Sequence, residues 1–258
     1  MAQLIKLSDY VSRYELDLTK YSNQFARLKQ QRWEEKKTQN ENRIDLETLR
    51  KQFFQDLFFY QLRWASSTAY EISDLDPKYE SDPILKHLLW KLPDTYLLMY
   101  HPVFQFEQAP VELEAVLITP LEIFCLAFLT GEKDDIYQAS RERFWTVFRG
   151  NETHKALSPL ISLKRSKNII DRLTKRILPV KQLIIALDGY VEFLPESPYL
   201  ECLDKRNVGA WFQEQARNPS PFKSPQIKAA RLLLNQTRTE CYDRHAESTI
   251  SWEIKQSD

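Results

Sequence analysis

The sequence predicts a mixed α/β protein, with an N-terminal helical extension over residues 1–75 and helices flanking a mixed sheet over 76–258. Three observations carry this. Apolar residues recur at helical spacing through two long stretches that lack Gly and Pro, and short β-branched and aromatic segments crowd residues 95–148. A Ser-Pro helix start at Ser158-Pro159 then leads on to a wholly apolar strand, Leu183 to Leu187.

Val11, Tyr14, Leu18, Tyr21, Phe25 and Leu28 recur at steps of three and four, so residues 1–75 read as helical from the start. After the polar run Glu34 to Arg43 a second stripe passes through Leu46, Leu49, Phe53, Leu57, Tyr60 and Trp64. The two stripes either pack on each other or on the following domain, or form a dimerising coiled coil, and their aromatic content favours packing. Asp82 precedes Pro83 as a cap precedes a proline at the first helical position, and Pro93 closes that short helix. Thr95 to Tyr100, Val111 to Thr119, Ile123 to Thr130 and Phe144 to Phe148 read as strands of a meander. Along the second of these, Glu112 and Glu114 share a face. The Ser158-Pro159 helix carries Leu160, Leu163, Lys167, Ile170, Leu173 and Ile177 on its stripe and stops before Pro179. Asp188-Gly189 turns the chain into Tyr190 to Leu194. Arg217 to Pro225 reads as a loop, and Ser224-Pro225 opens a final helix running towards Tyr242.

Composition narrows the classes of function. Of 258 residues 43% are hydrophobic and 28% charged, with 36 Lys and Arg against 36 Asp and Glu, which is globular rather than disordered. Four glycines, with neither GxGxxG nor GxxxxGK[S/T] present, speak against a nucleotide-binding fold. Charges at Lys6, Asp9, Arg13 and Glu15 leave no apolar core for a signal peptide, and Pro120 and Glu122 break the longest apolar stretch, Ile118 to Leu129. Cys125, Cys202 and Cys241 are widely separated, as expected for buried thiols in a reducing compartment. A cytoplasmic protein without a membrane partner is therefore expected. His87, His101, His154 and His245 are isolated and read as structural or surface residues rather than zinc ligands.

From Ser81 onwards the order of helix, meandering strands, long helix and buried strand resembles the nuclease-related domain (NERD), a bacterial branch of the restriction-endonuclease-like PD-(D/E)xK fold. Thr119-Pro120 and Ile123-Phe124 fall in register with the family's strand-turn-strand segment, Phe144-Trp145-Thr146 is similar to its tryptophan-containing strand, and Ser158-Pro159-Leu160 to the start of its long helix. The N-terminal stretch from Leu4 to Lys29 also resembles a leader that precedes this domain in some bacterial proteins. The family's chemistry uses an acid on one strand and Glu-x-Lys on the next, because phosphodiester hydrolysis there needs a divalent metal held by oxygen ligands and a charge that assists the attacking water. Carried over, Glu114 stands at the first acidic position, but Ala127 replaces the Glu and Leu129 the Lys. A methyl group coordinates no hard cation, and each tenfold loss of rate corresponds to about 1.4 kcal/mol. The resemblance thus implies a pseudonuclease, with Asp82 and Glu112 as possible remnants of the site. Glu122, Lys133 and Asp134 are the neighbours from which migrated groups would come.

Charge is segregated along the chain. Arg141 to Lys181 holds eleven Lys and Arg against three acids, whereas Glu107 to Asp135 holds seven acids against Lys133 alone. Lys164, Arg165, Lys167, Arg172, Lys175 and Arg176 form a basic helix suited to a phosphate backbone or simply to solvent. The leading expectation is a catalytically inactive protein that binds DNA or RNA through this helix and needs no cofactor. The alternatives are a protein-interaction scaffold or homodimer built on residues 1–75, and a divergent nuclease in which Glu114 would help to hold Mg²⁺ or Mn²⁺.

Overall fold

The computed structural model describes residues 1–40, 44–217 and 220–244. By contact, the chain forms two compact units: Met1–Trp90 with Leu97–Glu112 and the segment from Leu234, and Lys91–Tyr96 with Leu113–Leu233. No helix among the described residues is long and apolar enough to cross a membrane.

The first unit opens with a strand, β1 (Gln3–Leu7), where the sequence pattern suggested helix. All five side chains, including Gln3 and Lys6, are buried, which suits a strand covered on both faces and leaves no polar face for a surface helix. Helix begins only after Ser12. The Ser12 hydroxyl accepts from the Tyr14 amide while the Glu15 side chain accepts from the Ser12 amide, a reciprocal cap that starts α1 (Arg13–Leu16). Asp17, in extended conformation, separates α1 from α2 (Leu18–Asn40). Asp45 caps α3 (Leu46–Trp64) by accepting from the Thr48 amide. The two apolar stripes meet within one chain: Trp33 and Phe53 lie with ring centroids 5.0 Å apart, and Phe25, Leu49, Phe53 and Leu57 are buried. Tyr14, Tyr21, Phe25 and Tyr60 surround Trp64 at 5.2–6.3 Å.

The chain continues through β2 (Glu71–Ile72), α4 (Lys78–Ser81) and α5 (Pro83–Lys91). Asp82 Oδ1 accepts from the amides of Ile84 and Leu85, both at 2.9 Å, which is the capping role expected beside Pro83. Next, β3 (Leu97–Tyr100) lies parallel to β1. The long strand expected from Val111 to Thr119 is in fact broken at Leu113-Glu114. Its first part, β5 (Ala109–Glu112), pairs back on β4 (Val103–Phe106) in a hairpin whose turn residues Glu107 and Gln108 both have positive φ, 47° and 72°. Such a turn usually announces itself with Asn-Gly or Asp-Gly, so this hairpin carries no sequence signal.

In the second unit, β6 (Ala115–Ile118) and β7 (Ile123–Phe128) pair antiparallel. A second sheet contributes β8 (Ile136–Gln138), β9 (Phe144–Arg149) and β10 (Glu152–Leu157). Helix α6 (Pro159–Leu173) then crosses over to β11 (Val180–Ile185), which lies parallel to β7 on one side and to β13 (Leu200–Leu203) on the other; β12 (Tyr190–Glu192) joins the second sheet beside β8. The unit thus contains a mixed sheet β6-β7-β11-β13 and a four-stranded sheet in the order β10-β9-β8-β12. Its core is the apolar β7 and β11 covered by Leu163, Ile169 and Ile170 of α6.

Two helices follow. The sequence pattern gave no sign of α7 (Val208–Arg217), because only Val208, Trp211 and Phe212 supply its apolar face and Gly209 weakens it. The expected loop from Arg217 to Pro225 therefore begins with a helical residue, and its positions 218 and 219 lie outside the described residues. The last helix, α8 (Ser224–Leu234), stops well before Tyr242. Thr237 closes it by donating from its amide and hydroxyl to the Leu234 carbonyl, at 3.2 and 2.8 Å. Beyond it the chain is extended, with Arg238 and Glu240 bonding through the backbone to Val103 and Asp9, and Tyr242–Asp243 paired with β2.

Gln226 of α8 is fully buried, and its Nε2 donates to the carbonyls of Thr95 at 2.7 Å and Ile118 at 3.1 Å. Gln226→Ala strands both carbonyls away from water. A loss of about 1–3 kcal/mol is expected, read as a lower urea midpoint at unchanged slope.

Candidate functional site

The carried-over nuclease positions come together around the start of β6 and the end of β7. The Glu114 side chain accepts a hydrogen bond from the Phe128 amide at 2.8 Å. Its carboxylate thereby satisfies backbone next to Ala127, whose side chain is only 2% exposed. The Leu129 amide donates to the Ile185 carbonyl at 2.9 Å, continuing the β7–β11 ladder. The side chains at positions 127 and 129 are a methyl and an isobutyl group, and neither is a ligand for a hard cation.

The other acids considered from sequence have structural partners. Glu112 does not share a strand face with Glu114: it sits on β5, with Oε1 2.8 Å from His101 Nδ1. Asp82 spends one oxygen on the helix cap and accepts from the Tyr100 hydroxyl with the other, at 2.9 Å. Glu122 pairs with Lys181 at 2.9 Å, and Lys181 also reaches Glu201 at 2.8 Å. Hydrogen bonds donated to Glu201 and Glu122 raise the Lys181 amine above the ordinary lysine range. Asp134 pairs with Lys205, which holds its carboxyl below the usual range, and Lys133 is exposed. Among the described residues no group of three His, Cys, Asp or Glu side chains converges to hold a metal ion.

One acid that sequence reasoning passed over is more deeply set. Asp135 is buried and takes a two-pronged hydrogen bond from Arg149, at 2.9 and 2.7 Å, while Arg149 also reaches Glu132. The Arg149 hydrogen bonds hold the Asp135 carboxyl below its ordinary range. The turn that carries Asp135 is tight: a Cβ on Gly131 would stand 2.2 Å from the Tyr137 hydroxyl oxygen and 2.3 Å from Asp135 Oδ2, so a larger residue there has to displace these side-chain ends. This pair fixes the loop before β8 to β9.

The six basic positions divide into groups. Lys164, Arg165 and Arg172 are exposed on α6. Lys167 turns aside to Asp171 at 2.6 Å, with its ammonium 5.0 Å from the Tyr199 ring centroid. Lys175 and Arg176 are not on the helix, because it ends at Leu173, where the Thr174 hydroxyl donates to the Ile170 carbonyl at 2.7 Å. Both adopt left-handed backbone, with φ of 52° and 54°, and stand exposed just past the negative end of the helix dipole.

The second sheet presents a face that the sequence reading did not assign. Trp145 and Val147 of β9 are buried, so the alternate residues Phe144, Thr146 and Phe148 face outward, and Phe144 and Phe148 are 47% and 39% exposed. Antiparallel register sets Leu157, Lys155 and Thr153 of β10 opposite these three. The alternation of Phe144 to Phe148 was legible, but its neighbours depend on pairing.

Cysteine chemistry is muted. Burial pushes the Cys125 thiol well up and the Cys202 thiol up to about 12. Cys241 is exposed rather than buried, because it lies in the extended segment after α8. His154 is exposed and 3.2 Å from Glu152, whereas His245 lies outside the described residues.

Fold and site together define a mixed α/β protein whose candidate nuclease positions lack the acid and lysine of that chemistry. Comparison with known proteins finds a stretch of 52 residues, 20% of this chain, that is 46% identical to a protein of Geobacillus stearothermophilus named as an RNA 2',3'-cyclic phosphodiesterase. The matched stretch spans 17% of that protein's length. No family model and no solved structure matches the chain.

Proposed function

We propose that this protein is a degenerate nuclease-related domain protein of the cytoplasm that binds nucleic acid without cleaving it. The observation that carries the reading is the exposed group Lys164, Arg165 and Arg172 on α6, continued by Lys175 and Arg176, in a unit whose Glu-x-Lys positions are Ala127 and Leu129. The order of antiparallel β6 and β7, α6, and β11 parallel to β7 supports the restriction-endonuclease-like reading. The name of the Geobacillus stearothermophilus relative makes RNA a necessary probe beside DNA.

Cationic side chains that neutralise phosphates release counterions, so affinity should fall linearly with salt on logarithmic axes. Fluorescence anisotropy of labelled DNA and RNA across a salt series reads this directly. Lys164→Ala/Arg165→Ala is expected to weaken binding and to reduce the slope by about 2, close to one unit for each phosphate contact removed. The labelled strand should stay intact in Mg²⁺ as in EDTA. Metal-dependent cleavage abolished by Glu114→Ala would establish the divergent nuclease instead, and absence of binding at the lowest salt would overturn the proposal.

A further inference from the structure

We infer that the outward face of β9 and β10 is a stacking platform for single-stranded nucleic acid. The inference rests on the nucleic-acid reading above and adds a second surface and a strand preference to it.

A soluble sheet normally turns polar residues to water, yet here Phe144, Phe148 and Leu157 stand exposed on one face, with Leu157 61% accessible. The partners across β10 place Leu157 beside Phe144 and Thr153 beside Phe148, with Lys155 opposite Thr146 midway between the two rings. Phe144 and Phe148 are four residues apart on one strand, so their origins are about 13 Å apart and each ring has room for its own base. Row by row the face continues onto β8 and β12, where Ile136 lies beside Phe148 and Tyr190 beside Ile136. Among the described residues neither phenylalanine stacks on another ring of the chain.

Charge decides the occupant. The Arg143 guanidinium lies 5.5 Å from the Phe144 ring centroid, Lys205 and Arg206 lie 5.7 and 5.6 Å from that of Tyr190, and Arg141 and Lys155 are exposed. Lys205 and Arg206 are paired with Asp134 and Asp204, and Glu142, Glu152 and Glu192 lie on or next to the strands of the platform. Rings interleaved with cations suit a polyanion that carries flat aromatic groups. A duplex keeps its base faces stacked inside, so only single strands, loops or ends can use such rings. Stacking is indifferent to base identity, so the platform should tolerate sequence while selecting single strands.

Anisotropy titrations with labelled oligo(dT), oligo(U) and a blunt duplex, using the full chain, test this. The probes are compared for wild type, Phe144→Ala/Phe148→Ala and Phe144→Trp/Phe148→Trp. Each lost stacking contact should weaken single-strand binding about tenfold. Because no cation is removed, the salt slope should stay as in wild type, and the tryptophan variant should bind single strands at least as well as wild type. Both substitutions are on exposed positions, and an unchanged thermal midpoint confirms that each variant folds. Equal single-strand binding by wild type and the alanine variant overturns the platform while leaving the α6 reading intact. Wild-type binding to duplex alone does the same. Wild-type binding to no probe overturns the platform and the nucleic-acid reading together, and a concentration-dependent dimer lost in the alanine variant would make the face an interface between copies.

Discussion

Glu15→Ala is expected to cost about 3–5 kcal/mol of stability, because it leaves the Lys6 ammonium buried without its counter-charge. The Lys6 side chain is fully inaccessible, and its Nζ donates to Glu15, to the Tyr10 carbonyl at 2.7 Å and to the Thr239 hydroxyl at 2.8 Å. Glu15 accepts in addition from the hydroxyls of Thr237 and Thr239, at 3.2 and 3.0 Å. One carboxylate therefore joins β1, the α1 cap and the extended segment after α8. Burial lowers the Lys6 amine below the ordinary lysine range, and attraction to Glu15 and its hydrogen bond oppose that shift. The sign of the pH effect follows. A lysine lowered on folding binds fewer protons folded than unfolded between its folded pKa and about 10.4, so its penalty is full below that window and is relieved as pH rises through it. Removing Glu15 lowers the folded pKa further and opens the window towards neutral pH. The Glu15→Ala chain should accordingly regain part of its lost urea midpoint between neutral and alkaline solution, relative to wild type. A cost independent of pH would mean that the substitution acts through the helix cap alone. Lys6→Met, which removes the buried charge itself, should cost less than Glu15→Ala, because the remaining carboxylate is 20% accessible and can be hydrated.

This ion pair shows where sequence reading stops. Helical spacing identified α2, α3 and α6, since an apolar stripe is a local property, and Asp82 and Ser158 marked helix starts because capping is local too. Lys6 gave the opposite signal. A lysine inside an apolar run looks like a surface position, and its burial is explained by the Tyr10 carbonyl, Glu15 and Thr239, the last more than two hundred residues away. The break between Glu112 and Glu114 was hidden for a related reason. Alternation continues across Leu113, so the pattern gives one strand, whereas the positive φ values at Glu107 and Gln108 turn its first half back on β4. Lys175 and Arg176 continued the helical pattern of α6, but Thr174 ends the helix and their left-handed backbone carries the chain away. At the candidate nuclease position the residue types were legible, and their use was not: Glu114 binds the Phe128 amide, a role fixed by where two strands meet. The exposed face of β9 needed a pairing register to be seen at all, because Phe144 to Phe148 alternates in the same way on an inner strand or an outer one.

Trp64→Ala should be comparably severe, at about 3–5 kcal/mol, which lowers the thermal midpoint of a chain of this size by roughly 10 °C. Trp64 is 1% exposed at the end of α3 and sits among Tyr14 of α1, Tyr21 and Phe25 of α2, and Tyr60 one turn back. The Arg13 guanidinium lies 5.3 Å from its ring centroid. Four edge-on or tilted rings meet a single indole, so truncation removes its own buried surface and the shared partner of rings from three helices, which cannot collapse together into the space. Trp64→Phe separates volume from chemistry. The indole Nε1 is buried and finds no hydrogen-bond partner among the described residues, so phenylalanine forfeits some packing but also removes an unpaired donor. Its cost should fall clearly below that of alanine, as read from urea midpoints at constant slope. Equal losses for the two variants would mean that the indole nitrogen is paired and the stability of the helical cluster depends on that bond. A small loss for both would mean that α1, α2 and α3 repack freely around the site. In that case the edge-on contacts of Tyr14, Tyr21 and Phe25 with Trp64 contribute little to holding α1 and α2 against α3.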